Sequence, residues 1–150
     1  MNRIAKIAGS LSLVVLAGAG CGGGGDKALS KAEFVKQGNA ACQRYHDATQ
    51  KIGDPQSLDD IARMTPKVQA EFNKMVAELK GIKPPSDLNA DYDKLLAAAE
   101  TAKGTLADLK SAAAAKDVAK ITALGKTAAS QTKEKNAVAN RLGLTACAQT

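Results

Sequence analysis

Residues 88–113 read LNADYDKLLAAAETAKGTLADLKSAA. Apolar residues in this stretch recur at alternating steps of four and three: Leu88, Tyr92, Leu95, Ala99, Ala102, Leu106, Leu109 and Ala113. A seven-residue repeat held over three heptads predicts an α-helix with one apolar face, as in the seam of a helical bundle. The alanines in the seam allow neighbouring helices to approach closely.

Two helices are predicted before this seam. A capping-box motif at 30–33 predicts a first helix over 31–52, because its serine and glutamate can satisfy backbone amides at a helix start. Ser57 precedes a second striped segment over 58–80. Pro66 lies inside that segment, and it leaves open either a kink or a break into a short turn and a longer helix.

A fourth helix is predicted after the seam, with Asp117 as its N-cap and Gly143 as the residue that ends it. The third helix, which contains the seam, is predicted to begin at Ser86 or Asp87. The stripe of the fourth helix is poor in large side chains and includes Lys135, so this helix is expected to be the least firmly packed. Short connections predict an all-α, antiparallel up-down four-helix bundle in which the first and fourth helices are neighbours.

The amino-terminal region has the order of a secretory signal. Arg3 and Lys6 precede an apolar run over 7–17, and small residues lead to Cys21. Only 14 residues lie between Lys6 and Cys21, whereas a membrane-spanning helix needs about 20 apolar residues. A removable signal is therefore predicted in place of a permanent anchor.

The residues Leu16-Ala17-Gly18-Ala19-Gly20-Cys21 resemble the lipobox of a bacterial lipoprotein precursor. This resemblance implies removal of residues 1–20 and a covalent diacylglyceryl group on Cys21, and no other cofactor is expected. Residues 21–29 then form a lipidated, Gly-rich linker that spans on the order of 15 Å, and residues 30–150 form the bundle domain. Gly18 stands where the family usually has leucine, and Ala17-Gly18-Ala19 leaves open ordinary secretion as a soluble protein.

The cysteines Cys21, Cys42 and Cys147 distinguish between these alternatives. Lipid on Cys21 leaves Cys42 and Cys147 as an even pair in an oxidising compartment, where a disulfide is expected. Because Cys147 lies beyond the predicted end of the fourth helix, the tail must fold back or the first helix must be offset.

Residues 28–149 also resemble small exported helical lipoproteins of high-GC Gram-positive bacteria. These proteins pair an early helix cysteine with a closing Gly-Leu-x-x-Cys, here Gly143-Leu144-Thr145-Ala146-Cys147. The resemblance implies export, helicity and the disulfide, and it implies nothing about mechanism.

Composition argues against several classes of activity. Without Arg3 and Lys6, 19 basic residues face 15 acidic ones, and the chain has no tryptophan. So mild a charge and so few aromatic residues do not suit a nucleic-acid partner. His46 is the single histidine, so a metal site or a histidine-based catalytic set is not expected, and neither is an enzyme.

A local excess of positive charge marks the fourth helix. Its residues are Lys120, Lys126, Lys133, Lys135 and Arg141. Such a run is usually a solvated helix face. The alternative is a contact face for anionic lipid or cell-wall polymer.

Two functions are expected for a protein anchored at the outer face of the cell membrane. The first is a non-enzymatic interaction or scaffold module that binds an unknown protein or wall partner. The alternative is a small-molecule carrier, with space between the helices at Ala99, Ala102 and Ala128. A cavity of a few hundred cubic ångströms would favour the carrier, and a solid core with one exposed strip would favour the interaction module.

Overall fold

A computed structural model of the chain describes residues 28–149. These residues form four helices, namely α1 (Lys31–Ile52), α2 (Leu58–Lys80), α3 (Asn89–Ala114) and α4 (Val118–Leu142). One 3-10 turn, Ser86–Leu88, precedes α3, and another, Thr145–Ala148, follows α4. The described residues contain no strand, and the predicted all-α four-helix bundle is confirmed. The predicted signal peptide and Cys21 lie outside the described residues.

Local signals set the ends of the helices. Ser30 Oγ accepts the Glu33 backbone N–H at 3.3 Å, and the Glu33 carboxylate accepts the Ser30 backbone N–H at 3.2 Å. Asp117 accepts the Lys120 backbone N–H at 2.9 Å. Gly143 ends α4 with φ of 77°, a left-handed conformation that costs glycine little. The predicted capping box, N-cap and closing glycine are therefore confirmed.

The structure decides one alternative that the sequence left open, and it differs from the expectation at one helix boundary. The second helix runs without a break through Pro66, while Thr65 Oγ1 donates to the Ile61 carbonyl at 2.6 Å. Ser86 and Asp87 lie in the 3-10 turn, so the third helix begins slightly later than expected. Neither point changes the order of the bundle.

Each helix packs on the next one along the chain. The backbones of the pairs α1–α2, α2–α3 and α3–α4 approach closely, whereas the backbones of α1 and α4 do so at few positions. The turn Thr145–Ala148 approaches both α1 and α4 closely. The sequence places the first and fourth helices as neighbours, and the carboxyl-terminal tail supplies much of the contact between them.

A disulfide and a side-chain hydrogen bond hold this tail against α1. Cys42 and Cys147 form the predicted disulfide, with their Cα atoms 5.1 Å apart. One helical turn further along α1, His46 Nε2 donates to the Ala146 carbonyl at 2.8 Å. The tail folds back over the end of α4, which is how Cys147 reaches the middle of α1.

The start of the tail is fitted into α1 at a glycine. A Cβ atom added to Gly38 would lie 2.6 Å from Leu144 Cδ2, and Leu144 is fully buried. Asn39 binds the tail at two points. Its Nδ2 donates to the Gly143 carbonyl at 3.3 Å, and its Oδ1 accepts the Ala146 N–H at 2.9 Å. Only a residue without a side chain lets the leucine pack this closely on α1.

The half of the bundle that contains the start of α1 is solidly packed, and we call it the proximal half. Its largest fully buried side chains are Phe34, Val76, Leu79, Leu142 and Leu144. The Tyr92 hydroxyl donates to the Leu79 carbonyl at 2.6 Å, and the Tyr92 ring meets Phe34 edge-on at 5.1 Å. Leu29, which was assigned to the linker, packs on this core and donates its N–H to the Lys83 carbonyl.

The opposite, distal half contains the end of α1 and the start of α4, and it is packed differently. Along the α3 seam, Tyr92, Leu95 and Ala99 are buried, whereas Ala102 and Leu106 are only half-buried. The seam is equally regular in sequence throughout. Beyond Ala99 the seam is only half-buried at Ala102, Leu106 and Leu109, which line an unfilled space, and it is buried again at Ala113.

Candidate functional site

A cavity of about 570 Å³ lies among the four helices, and most of it is in the distal half. Its apolar walls come mainly from α2 (Ile61, Met64, Val68, Phe72 and Met75), α3 (Leu95, Ala98, Ala99, Ala102, Leu106 and Leu109) and α4 (Ile121, Leu124 and Ala128). Protein interiors normally have few voids larger than a water molecule. A space of this size therefore marks the candidate functional site.

Small side chains account for much of this space. Ala98, Ala99 and Ala102 line it from α3, and Gly125 and Ala128 line it from α4. The proximal half contains larger side chains at Tyr92 and Leu95 of α3 and at Leu142 of α4, all of which are buried. The small residues of the distal half leave a hollow that the neighbouring helices do not fill.

The floor of the cavity toward the proximal half is formed by the disulfide and an aromatic pair. Cys42 and Cys147 both line the cavity. Tyr45 meets Phe72 edge-on, with ring centroids 5.5 Å apart, and burial raises the pKa of the Tyr45 hydroxyl. The cross-link therefore anchors the tail and forms part of the wall.

A few polar groups interrupt the apolar lining on α4. Thr105 Oγ1 donates to Gln131 Oε1 at 3.0 Å and joins α3 to α4 at the cavity wall. Thr132 and Lys135 follow on the same helix and also line the cavity. Lys135 is half-buried, and burial lowers the pKa of its ammonium group to about 8. The arrangement offers hydrogen-bond donors and one positive charge beside an apolar chamber.

Polar side chains of two helices take part in the lining. His46 on α1 and Lys135 on α4 both line the cavity, and Cys147 of the tail does so as well. The turn Thr145–Ala148, which contains Cys147, contacts both α1 and α4. The polar part of the lining therefore includes residues of α1 as well as α4.

No protein-family model, curated protein or solved structure matches this chain. The candidate site consequently stands on its geometry and chemistry alone.

The structure separates the five basic residues that the sequence groups on the fourth helix. Three are exposed along α4, namely Lys120, Lys126 and Lys133. Arg141 donates to the Asp91 carboxylate of α3 through Nε and Nη2, each at 3.0 Å, and these bonds lower the pKa of Asp91 to about 2. Lys135 lines the cavity instead. A regular stripe of steps four, three and four from Leu124 to Lys135 was the sequence signal for this orientation.

Residues 28–149 contain neither a cluster of metal ligands nor a membrane-spanning helix. In this part of the chain, no three His, Cys, Asp or Glu side chains lie close enough together to hold a metal ion. None of the helices described here is long and apolar enough to cross a membrane. His46, the histidine considered at the sequence level, holds the tail through its bond to Ala146.

Proposed function

We propose that this protein is a carrier that holds an apolar small molecule between its helices, at the outer face of a membrane to which lipid on Cys21 anchors it. The observation that supports this proposal is a 570 Å³ cavity with largely apolar walls, next to a fully packed half of the same bundle. Small-molecule pockets typically measure about 300–1,000 Å³ and are mostly apolar. Of the two functions expected from the sequence, the cavity supports the carrier.

The available space is enough for useful affinity. A water molecule takes up about 30 Å³ of liquid, so the cavity has room for on the order of 15 to 20 groups of that size. Each methylene group moved out of water contributes about 0.8 kcal/mol. A ligand that buries a dozen such groups would gain about 10 kcal/mol, which exceeds the lower estimates of the cost of association, about 4 kcal/mol.

The predicted anchor suits such a function. A lipidated Cys21 with a short glycine linker would hold the bundle within on the order of 15 Å of the membrane surface. Apolar molecules are concentrated in the membrane and nearly absent from the surrounding water. A tethered carrier would therefore take up and release its ligand near the bilayer, and the proposal includes no catalytic step.

The test is to identify what the purified protein binds and to block the cavity. Ala102 on α3 lines the cavity, whereas Ala107 on the same helix is exposed. We expect solvent extraction and mass spectrometry to recover an apolar molecule from wild type and from Ala107→Phe, and much less of it from Ala102→Phe. The neutral fluorophore N-phenyl-1-naphthylamine should show the same pattern in titrations.

The result against the carrier is equally definite. If the fluorophore binds Ala102→Phe as well as it binds wild type, or binds none of the three proteins, the cavity is not a binding site. The interaction module would then be the better proposal, and crosslinking in intact cells would identify its partner.

A further inference from the structure

The cavity has an uneven distribution of charge. Among the residues of the described chain that line the cavity, Lys135 is the only lysine, arginine, aspartate or glutamate. It follows Gln131 by one helical turn, with Thr132 beside them, and the rest of the α4 lining is Ile121, Leu124, Gly125 and Ala128. The lining of α4 is therefore polar at its proximal end and apolar over the remainder.

We propose that the cavity takes a single-chain amphiphile with an anionic head group, specifically a long-chain carboxylate whose head group contacts Lys135. The inference rests on the carrier function proposed above and names its ligand class. The alkyl chain lies along the apolar walls of α2, α3 and α4, and the carboxylate lies at the polar end of the α4 lining, beside Lys135.

The chemistry of Lys135 favours an anion. The Lys135 ammonium has three N–H donors, and a carboxylate can accept from one of them in a short, charge-assisted hydrogen bond. The lowered pKa of about 8 is caused by burial and leaves most of the group protonated at neutral pH. One positive charge matches the single negative charge of a carboxylate better than it matches the charge of a phosphate monoester, which is about −1.5 to −2 at neutral pH.

The dimensions favour one chain of about sixteen carbons. Ile121 and Lys135 are fourteen residues apart on α4, and a helix rises about 1.5 Å per residue, so the lining extends over about 21 Å. An extended chain advances about 1.2 Å per bond, which gives about 18 Å for sixteen carbons. Room for on the order of 15 to 20 methylene-sized groups agrees with one such chain.

Four sixteen-carbon probes separate the contribution of the head group from that of the chain. They are hexadecanoate, hexadecanol, hexadecyl phosphate and hexadecyltrimethylammonium. Each would be titrated against the full-length protein in lipid nanodiscs, with displacement of N-phenyl-1-naphthylamine as the readout. The variants are Lys135→Met, Lys135→Arg and, as a matched control on the same helix, Lys133→Met, which alters an exposed lysine.

In wild type and in Lys133→Met, we expect hexadecanoate to bind at least about tenfold more tightly than hexadecanol, as a charge-assisted hydrogen bond implies. Lys135→Met should remove that difference and leave the affinity for hexadecanol unchanged. Lys135→Arg should retain most of it. Circular dichroism of each variant confirms that the helices are intact.

The other outcomes overturn the proposal in distinguishable ways. Equal binding of hexadecanoate and hexadecanol by wild type, or no loss in Lys135→Met, would remove the anionic head group and leave the carrier function standing. Tighter binding of the phosphate or of the ammonium probe would show that the carboxylate is wrong. Displacement by none of the four probes would count against the carrier function itself.

Discussion

Enlarging an alanine should have opposite effects at two positions of α4. Ala128 lines the cavity and is half-buried, whereas Ala139 is fully buried in the packed proximal half. We expect Ala128→Leu to stabilise the protein and Ala139→Leu to destabilise it. Both changes add the same three carbons to the same helix, so differences in helix propensity cancel between them.

The magnitudes follow from the surroundings of each site. Three additional carbon groups placed in an empty apolar space gain about 2.4 kcal/mol at about 0.8 kcal/mol each. Loss of leucine rotamers and of alanine's helix propensity subtracts about 1 kcal/mol, so Ala128→Leu should gain about 1 kcal/mol. Added carbons in a packed core cost about 1–3 kcal/mol. The two variants should therefore differ by about 2–4 kcal/mol.

Urea unfolding of the oxidised protein, followed by far-ultraviolet circular dichroism, measures this difference directly. The midpoint should rise for Ala128→Leu and fall for Ala139→Leu, with similar slopes. Equal destabilisation by both variants would refute the reasoning, because it would mean that the space beside Ala128 is filled. A ligand retained from purification would have the same effect, so the protein should be extracted with solvent and refolded first.

Three further outcomes are expected. Gly38→Ala should lower the unfolding free energy by about 1–2 kcal/mol, because the new methyl group would displace the buried Leu144 of the tail. At Gly104 a new methyl group would meet nothing within 4 Å, so Gly104→Ala should raise the unfolding free energy by up to about 1 kcal/mol in the same urea titration. Replacing Cys42 and Cys147 by alanine opens a loop with a sequence separation of 105 and should cost about 4 to 5 kcal/mol in the chain-entropy model, also read from urea midpoints. Burial lowers the pKa of Lys135 from 10.5 to about 8, so between these pH values the unfolded chain binds more protons than the folded chain. Stability should therefore rise with pH across that window. The urea midpoint of wild type minus that of Lys135→Met should show this rise when plotted against pH, and a flat plot would contradict it.

The helices themselves could be predicted because their signals are local. The capping box at Ser30 and the glycine at position 143 act within one helical turn, and both have the predicted geometry. Periodicity over 88–113 identified the face of α3 that is turned inward. The pairing of Cys42 with Cys147 followed from their number and from the predicted compartment, without knowledge of the path of the tail.

The position of the tail could not be predicted in the same way. Short connections predict that α1 and α4 are neighbours, but the contacts of Gly38 and Asn39 with residues 143–146 are visible only in the folded chain. The contact of Leu144 with Gly38 joins residues more than one hundred positions apart. No local rule of sequence encodes such a contact.

The sequence by itself determined that residues 28–149 form four amphipathic helices and, apart from the passage through Pro66 and the start of α3, where each helix begins and ends. The tertiary structure alone decided that one part of the apolar surface packs solidly and that another part lines a cavity with Lys135 at its wall. An apolar stripe specifies that a face leaves water, but not what lies opposite it. The distance to the opposite face depends on contacts between residues far apart in the chain, and an alanine at position 102 or 128 suits either close packing or an open space.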